Sequence, residues 1–540
     1  MTRTRPAVAD DPPARTGGPV TTAPASYAQE RAWLASRLTH DPPTYCAVDE
    51  FPVHAGITEN DLVNALAVLM ERHEPLRTVL RSVDGRLTQD VYPRLEPDVE
   101  RLDLSAYDHA AQTEERRSLR ARMARRPFGP LRVPLWRAAV LKLGEGAWSV
   151  LLAAHHTVYD TASRFNVHAE LTELCAAAEE NRAPRLPQLP LGYGEYARRE
   201  REQLTPGRRD ALAAHWRARL HGLPPVHTLP LDRPRPPART FRGAEVRTAL
   251  PVGVTAALTA AARHHGTRPV MLFLAAYTAL LHHHSGADDL AVGLPVAGRT
   301  EPGTRSMVGT FVNMRVLRAD LTGDPDITEL VLRTTAAVRA GERHDIPLQT
   351  LVELLPARRL PGVPPLYQLA FNHVPTGPLG APVSSCEEDL LLDVADGTVR
   401  IVYDVALFDR STADILLADY LRLLATVLDA PGTRLSALRP AHPPRRTPGP
   451  AAEPPPAATA PRGAAEARVA AVWRDLLGTD VVDVHQDFFS LGGHSLQALR
   501  LLARLTAEHR TEITLRTFFA DPTVAGLATA LDRTHPGRTA

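Results

Sequence analysis

The sequence predicts an α/β protein with two lobes of mixed strands and helices, followed by a small all-helical module. A short apolar run, Trp148 to Leu152, is apolar on both faces and rich in strand formers, which is typical of a strand buried within a sheet. Similar sets of strands and helices lie on either side of a proline-rich connection at residues 224–237. After a second proline-rich stretch, residues 465–533 show only helical periodicity.

Composition and charge indicate an ordinary globular protein. The 540 residues include 62 basic and 61 acidic side chains, which gives no reason to expect nucleic acid or an anionic membrane as a partner. Cys46, Cys175 and Cys386 are scattered and form no C-x-x-C pair, so neither a disulfide framework nor a zinc ribbon is expected. No secretory signal is visible, and no apolar run is long enough to span a bilayer. We therefore expect a soluble, cytoplasmic protein.

Changes in composition along the chain give the expected domain boundaries. Residues 1–25 lack periodicity and are expected to be a disordered tail. Ser26 can cap the first helix, so the N-terminal lobe should cover residues 26–185 and the C-terminal lobe residues 186–440. Residues 441–464 should form an extended proline-rich linker, and residues 465–536 the helical module.

Periodicity also places individual elements along the chain. Apolar residues at helical spacing predict helices near residues 60–71, 169–180, 269–281 and 466–477, and another from residue 496. Asp84-Gly85 lies between two strand-like segments and favours a tight hairpin turn.

Two adjacent histidines stand where the buried strand ends. His155 and His156 are followed by Asp160, and an unperturbed imidazole titrates at about 6.5, so one ring can stay neutral and accept a proton near neutral pH. Successive strand residues point to opposite faces, so at most one of the two rings can face a given cavity. The pattern suits proton transfer at this end of the strand, and a purely structural role for the pair remains open.

Two further sequence features resemble functional sites. Ser495 follows Gly492-Gly493-His494 at the start of a helix, where a serine can also be an ordinary N-cap. Gln497 occupies the last glycine position of a hydrolase G-x-S-x-G elbow, which argues against that elbow. His282, His283 and His284 lie about 100° apart around a helix and cannot converge on one ion, so we expect a solvated helix end and no metal site.

Several motifs in the expected order resemble the condensation domain of nonribosomal peptide synthetases, from Ser26 to about Leu438. The motifs that carry the resemblance are Ser26-Tyr27-Ala28-Gln29-Glu30-Arg31-Ala32-Trp33, Arg72-His73-Glu74-Pro75-Leu76-Arg77-Thr78, His155-His156-Thr157-Val158-Tyr159-Asp160, Val292 to Arg299, Val308 to Asn313, His344-Asp345-Ile346-Pro347 and Pro365 to Phe371. The last module resembles the peptidyl carrier, or thiolation, domain through Gly492-Gly493-His494-Ser495-Leu496.

The resemblance implies two chloramphenicol-acetyltransferase-like lobes in a V-shaped pseudodimer, plus a small helical-bundle carrier domain. It implies an acyltransferase-type condensation, in which an acceptor amine attacks a donor acyl or peptidyl thioester and forms an amide. His156 would take a proton from the amine or orient it, and His155 would be mainly structural. Asp160 would hold the loop by pairing with Arg299. Ser495 would carry a covalent 4'-phosphopantetheine.

The resemblance also implies partners. A phosphopantetheinyl transferase would modify Ser495, and a separate carrier protein would deliver the donor thioester. Lys142 is the only lysine, so lysine-dependent aminoacyl adenylation is not expected within this chain, and an adenylating enzyme would load the carrier in trans. Whether Ser495 holds the acceptor or the donor stays open.

The chain departs from the family motif HHxxxDG at one position, because Thr161 replaces the glycine. We expect the loop to tolerate threonine; the alternatives are altered substrate choice and loss of catalysis. Three other functions remain open: an ester-forming variant with a hydroxyl acceptor, an epimerisation domain, and a catalytically silent platform that recruits partner enzymes. An epimerisation domain shares the HHxxxDG motif but usually follows its carrier, and here the carrier comes last, which counts against it.

Overall fold

The computed structural model describes residues 21–38, 45–83, 86–128, 134–236, 239–355, 360, 362–374, 383–395, 397–438, 442, 459–477, 483–488, 495–509, 513, 517–518 and 521–534. The chain divides into two compact units. Unit 1 comprises Met1–Thr205 and Ala297–Val312, and unit 2 comprises Pro206–Val296 and Asn313–Ala540.

Unit 1 is an α/β assembly with two sheets. Its strands are β1 (Thr21–Pro24), β2 (Cys46–His54), β3 (Thr78–Val83), β4 (Arg86–Val91), β5 (Val99–Asp103), β6 (Trp136–Gly144) and β7 (Ala147–His155). Its helices are α1 (Tyr27–Leu38), α2 (Glu59–Arg72), α3 (His109–Arg125), α4 (Thr161–Glu179) and α5 (Tyr193–Gln203). The sheet orders are β1-β4-β3 and β2-β7-β6-β5.

Strand β7 lies inside the four-stranded sheet and is buried on both faces. Val150, Leu152 and Ala154 belong to the same core cluster as residues of α2 and α4. Leu151 and Ala153 pack on the opposite face with residues of α3. The double burial explains why this strand reads as a continuous apolar run rather than an alternating one.

Unit 2 contains a six-stranded sheet and several helices. The elements are α6 (Pro206–Leu220), β8 (Gly243–Ala249), α7 (Val254–His264), α8 (Pro269–Ser285), β9 (Asp289–Val296), β10 (Asn313–Asp320), α9 (Ile327–Arg343), α10 (Leu348–Leu354), β11 (Leu369–His373), β12 (Leu390–Ala395), β13 (Thr398–Asp404) and α11 (Arg410–Asp429). The strand order is β10-β9-β11-β12-β13-β8, and β11 runs parallel to both of its neighbours.

The core of unit 2 forms around helix α8. Every residue of α8 from Met271 to Leu281 is buried, and α8 shares one hydrophobic cluster with the sheet and with α11. A helix that is apolar all round is expected at the centre of a core rather than at its surface. The longest apolar run of the sequence is thus a core helix. Among the described residues, no helix combines the length and the apolar composition needed to cross a membrane.

The C-terminal region folds as a small helical module. Its described helices are α12 (Gly463–Leu477), α13 (Ser495–His509) and α14 (Val524–Thr534). Trp473, Phe488 and Phe518 form its centre, with ring centroids 4.9 Å apart for the first pair and 5.4 Å apart for the second, both edge to face. This geometry is the favourable one for aromatic pairs.

The expected tail 1–25 extends too far. Thr21–Pro24 form β1, which pairs antiparallel with β4, and Thr22 Oγ1 donates to Asp90 Oδ1 at 2.8 Å. A strand of four residues is too short to show a periodicity in the sequence, and it forms because it pairs with the distant strand β4. Residues 1–20 lie outside the described residues.

The lobe boundary expected at residue 185 also differs from the division seen in the structure. Helix α5 and the segment Ala297–Val312 both belong to unit 1. Residue 185 lies in a proline-rich stretch, which resembles a linker in composition, but α5 contacts β1 directly. The proline-rich composition near residue 185 therefore marks a loop inside unit 1, whereas the boundary of the unit lies at Thr205.

Candidate active site

His155 and His156 lie at one end of the four-stranded sheet, where β7 finishes and its neighbours β2 and β6 begin. His155 is the last residue of β7 and is paired in register with Cys46, the first residue of β2. Its backbone N–H donates to the Leu135 carbonyl just before β6, and the His156 N–H donates to the Tyr45 carbonyl just before β2. The chain then turns through Thr157 and Val158 and enters α4. The end of the sheet thus fixes the backbone of both histidines.

The surroundings of His156 define which ring nitrogen carries the proton. Its Nδ1 lies 3.3 Å from the backbone carbonyl of Tyr159, and its ring meets that of Tyr45 edge to face. A carbonyl oxygen only accepts, so Nδ1 must donate in this hydrogen bond. The neutral tautomer therefore has its lone pair on Nε2, the nitrogen that can take a proton from a substrate.

His155 has the opposite arrangement. The backbone N–H of Thr157 donates to its Nδ1 at 3.2 Å, so Nδ1 accepts and the proton is on Nε2. Burial, together with the neighbouring His156 and Arg37, lowers the pKa of His155 to about 3. The Phe128 ring packs edge-on against it. His155 is therefore a neutral imidazole throughout the physiological pH range.

Asp160 is the N-cap of α4 and the centre of a buried hydrogen-bond network. Its Oδ1 accepts from the Ser163 backbone N–H at 2.8 Å and lies 2.8 Å from Ser163 Oγ. Arg299 Nη2 donates to the same oxygen at 2.8 Å, and the Phe311 backbone N–H donates to Oδ2 at 3.1 Å. Asp160 is only 3% exposed. The structure thus brings together Asp160 and Arg299, 139 residues apart in sequence.

Arg299 organises the segment Ala297–Val312 around this carboxylate. Its Nη1 donates to the carbonyls of Thr304 and Met307, at 2.5 and 2.7 Å, and its guanidinium lies 4.1 Å from the centre of the Phe311 ring. Gly298 has a φ of +64°, and a Cβ there would stand 1.9 Å from the Phe311 carbonyl oxygen. Only glycine fits this position.

A second buried network holds the same segment to α2 and α4. The Val308 N–H donates to His73 Nδ1 at 3.2 Å, and His73 Nε2 lies 3.0 Å from Glu170 Oε2. Arg72 Nε donates to Glu170 as well, at 3.1 Å. Burial alone would raise the pKa of Glu170, but the bonds from His73 and Arg72 outweigh burial and lower it. Arg72 and His73 thus connect α4 to the segment Ala297–Val312, which carries Arg299.

Thr161, which replaces the motif glycine, begins helix α4 and is exposed. Its backbone is helical, so this position does not need the left-handed angles that favour glycine. The expectation that the loop accommodates threonine agrees with this geometry.

Two interactions that hold the turn from His155 to Asp160 were not predicted from the sequence. Ser163 forms a reciprocal capping box with Asp160, and the D-x-x-S spacing is a local signal that could have revealed it. The Tyr159 hydroxyl donates to Asp49 Oδ2 at 2.9 Å across 110 residues, and no local pattern predicts a contact at that separation.

The end of α8 differs from the expected solvated helix end. His284 is 7% exposed, and its Nε2 lies 3.1 Å from Asp419 Oδ2 on α11. Because α11 packs against α8, His284 is covered, whereas His282 and His283 are half-buried. The expectation of a solvated helix end was therefore wrong for His284. Within the described ranges, no group of three or more His, Cys, Asp or Glu residues is arranged to hold a metal ion.

Ser495 is the first residue of helix α13. The glycines and histidine that precede it in the motif lie outside the described residues. A helix N-terminus presents unpaired backbone N–H groups, which suit a phosphate attached to this serine.

Comparison with known proteins identifies both parts of the chain. The family described as the condensation domain matches residues 20–376, and the family described as the phosphopantetheine attachment site matches residues 467–531. The chain belongs to the condensation-domain family and carries a phosphopantetheine-binding carrier domain after it. This domain pair is typical of nonribosomal peptide synthetase modules, which confirms the resemblance read from the motifs and the α/β-plus-helical fold class.

Relatives and solved structures agree with this assignment. Phosphinothricin tripeptide synthetase PhsB from Streptomyces viridochromogenes is 35% identical over 428 residues, which cover 76% of this chain and 36% of PhsB. SgcC5 from Streptomyces globisporus, solved with (R)-(-)-1-(2-naphthyl)-1,2-ethanediol and sucrose, is 26% identical, with a TM-score of 0.65 over 76% of this chain and all of SgcC5. The X-domain of teicoplanin biosynthesis, solved in complex with OxyB, is 25% identical, with a TM-score of 0.65 over 79% of this chain and 99% of that one. The chain spans between 6% and 40% of the length of the synthetases that it matches first.

Removing the Asp160 carboxylate should destabilise unit 1 strongly. In Asp160→Ala the buried Arg299 loses its counter-charge, and we expect a loss of about 3–5 kcal/mol in the free energy of unfolding, measured by urea denaturation. The exposed pair Glu114–Arg117 in the same unit provides a matched control. Glu114→Ala should cost about 1 kcal/mol or less. Equal losses in the two variants would contradict the importance of the buried pair.

His155 should make the stability of the protein depend on pH in one direction. Its folded pKa of about 3 lies below the value of about 6.5 in an unfolded chain, so the unfolded state binds more protons between these values. Its contribution is complete above pH about 6.5 and is lost as the pH falls toward 3. His155→Asn keeps an acceptor for the Thr157 N–H and cannot be protonated in this range. Its urea midpoint should fall less between pH 7 and pH 5 than that of the wild type. A fall as steep as in the wild type would count against this, and the exposed His109→Asn serves as the control.

Proposed function

We propose that this chain forms an amide bond by attack of an acceptor amine on a donor acyl or peptidyl thioester, with His156 as the working residue. The hydrogen bond from His156 Nδ1 to the Tyr159 carbonyl carries this proposal, because it places the lone pair on Nε2. An imidazole in that state can accept a proton from the attacking amine, or orient the amine by a hydrogen bond.

The proposed reaction needs no cofactor beyond the arm that carries the thioester. The amine nitrogen bonds to the thioester carbonyl carbon, and the carbon–sulfur bond then breaks. The proton lost by the amine passes by way of Nε2 to the departing thiolate, which leaves as a thiol. Neutral His155 does not compete for this proton, since its pKa is about 3. Asp160 and Arg299 contribute by fixing the turn that presents His156.

Ser495 is the proposed attachment point of the 4'-phosphopantetheine. The phosphopantetheine attachment site of the family lies within residues 467–531, and Ser495 is the serine of the Gly-Gly-His-Ser motif there. A phosphopantetheinyl transferase would install the arm, and an adenylating enzyme acting in trans would load it. A separate carrier protein would then deliver the second thioester. The arm on Ser495 would present the acceptor or, if the acceptor is a free amine, the donor.

Ser495 should gain one phosphopantetheine group. After incubation of the full chain with coenzyme A and a phosphopantetheinyl transferase, intact-protein mass spectrometry should show one added group in the wild type and none in Ser495→Ala. Peptide mapping should locate the group on Ser495. Modification of Ser495→Ala at the same rate would place the attachment elsewhere.

His156→Ala should lower product formation by about 100-fold or more, as expected for loss of a group that handles the proton. The assay offers the holo chain a panel of carrier-bound donor thioesters and amine acceptors, and mass spectrometry detects the amide. His109→Ala, on the exposed start of α3, is the control and should leave the rate unchanged. Undiminished product with His156→Ala would defeat the proposed catalysis.

Two other functions have support in the solved relatives. The SgcC5 structure holds a diol, so a hydroxyl acceptor and an ester product form the second candidate. Offering hydroxyl acceptors beside amines in the same assay separates the two. The X-domain was solved with OxyB, which supports a platform that binds partner enzymes. A platform predicts no product with the wild type and none with His156→Ala.

A further inference from the structure

Tyr159 links His156 to a second acidic residue that the motif does not contain. Its backbone carbonyl faces His156 Nδ1 at 3.3 Å, while its hydroxyl donates to Asp49 Oδ2 at 2.9 Å. Tyr159 is 1% exposed, and burial raises the pKa of its hydroxyl well above the usual value, so the hydroxyl remains a donor. The position of the carbonyl therefore depends on where Asp49 holds the ring.

Asp49 sits in the middle of β2 on the same sheet face as Leu152, beside the start of α4. Charged groups from three elements influence its carboxylate. Arg164 on α4 lies 3.8 Å from Oδ1, Arg120 on α3 is near enough to interact with its charge, and so is His156 from the turn. Burial is the largest influence on Asp49 and raises its pKa. The Tyr159 hydrogen bond and the charges of the two arginines and of His156 act in the other direction.

We propose that Asp49 is a positioning residue for His156: it anchors Tyr159, whose carbonyl holds the Nδ1 proton, and its carboxylate stabilises the imidazolium that forms when Nε2 takes up a proton. The inference rests on the proposed function, since it concerns the same imidazole. Asp160 does not fill this role, because its two oxygens already bind Ser163, Arg299 and the Phe311 N–H.

The adjacent residue on the strand gives a matched control. Glu50 follows Asp49, and successive strand residues point to opposite faces. Its carboxylate accepts from Arg116 Nε and from Ser149 Oγ, each at 2.7 Å. Glu50→Gln therefore removes a half-buried, hydrogen-bonded charge from the same strand without touching Tyr159.

Asp49→Asn keeps the shape of the side chain and an oxygen for the Tyr159 hydroxyl but removes the charge. We expect the pKa of His156 to fall by about 0.5 unit or more, because an opposite charge favours the protonated imidazole. Histidine NMR titration of the full chain measures this, with the His156 signal identified by its loss in His156→Ala. The acid limb of the pH profile of kcat/KM should move to lower pH by the same amount, with kcat reduced about 10-fold. Glu50→Gln should change neither quantity.

Tyr159→Phe tests the link itself, since it removes the hydroxyl and leaves the backbone carbonyl in place. If Asp49 acts through Tyr159, the rate loss of the double variant Asp49→Asn, Tyr159→Phe should be smaller than the product of the two single losses. Fully multiplicative losses would overturn the link.

An unchanged His156 titration in Asp49→Asn, or an equal shift in Glu50→Gln, would overturn the inference. The titration does not require turnover. It therefore decides the role of Asp49 even if His156→Ala shows that the proposed reaction is wrong.

Discussion

The buried ion pair between Asp160 and Arg299 determines how the turn that follows His155 and His156 is built. The carboxylate caps α4 and accepts a hydrogen bond from the backbone N–H of Phe311. It also binds Arg299, which donates hydrogen bonds to two carbonyls of its own segment. Both side chains are almost fully enclosed. A buried pair of this kind gains little over an apolar substitute, but losing one partner leaves a charge without compensation. Its contribution is therefore mainly geometric, because it joins two distant stretches of chain at the start of α4, four residues after His156.

The two histidines show how neighbouring residues of one type acquire different properties. His155 accepts a backbone N–H at Nδ1, whereas His156 faces a backbone carbonyl with the same atom. The difference comes from the turn after β7, which presents an N–H to one ring and a carbonyl to the next. One imidazole is thereby kept neutral, and the other has its lone pair on Nε2, the nitrogen to which we assign the proton transfer.

Much of the fold could be predicted from the sequence because its signals are local. The buried strand β7 and the core helix α8 each coincide with a continuous apolar run. Helix α4 was predicted only from residue 169 onward, because its first turns, which begin at Thr161, are defined by the Asp160 cap and not by apolar periodicity. The motif resemblance added the family, and with it the pairing of Asp160 with Arg299. Other features could not be predicted, since each depends on partners far away in sequence. They are the hydrogen bond between Tyr159 and Asp49, the hydrogen bonds of His73 with Val308 and Glu170, and the pairing of strand β1 with β4.

Unit 1 is not a continuous stretch of chain, and this affects how it can be made. The polypeptide leaves it at Thr205 and returns for Ala297–Val312, the stretch that supplies Arg299 and Phe311. On a ribosome, the carboxylate of Asp160 must wait for more than a hundred further residues before its counter-ion has been synthesised. A fragment cut after Thr205 would lack Arg299 and leave the buried Asp160 carboxylate without its counter-ion. Any shortened form of unit 1 therefore has to keep both stretches.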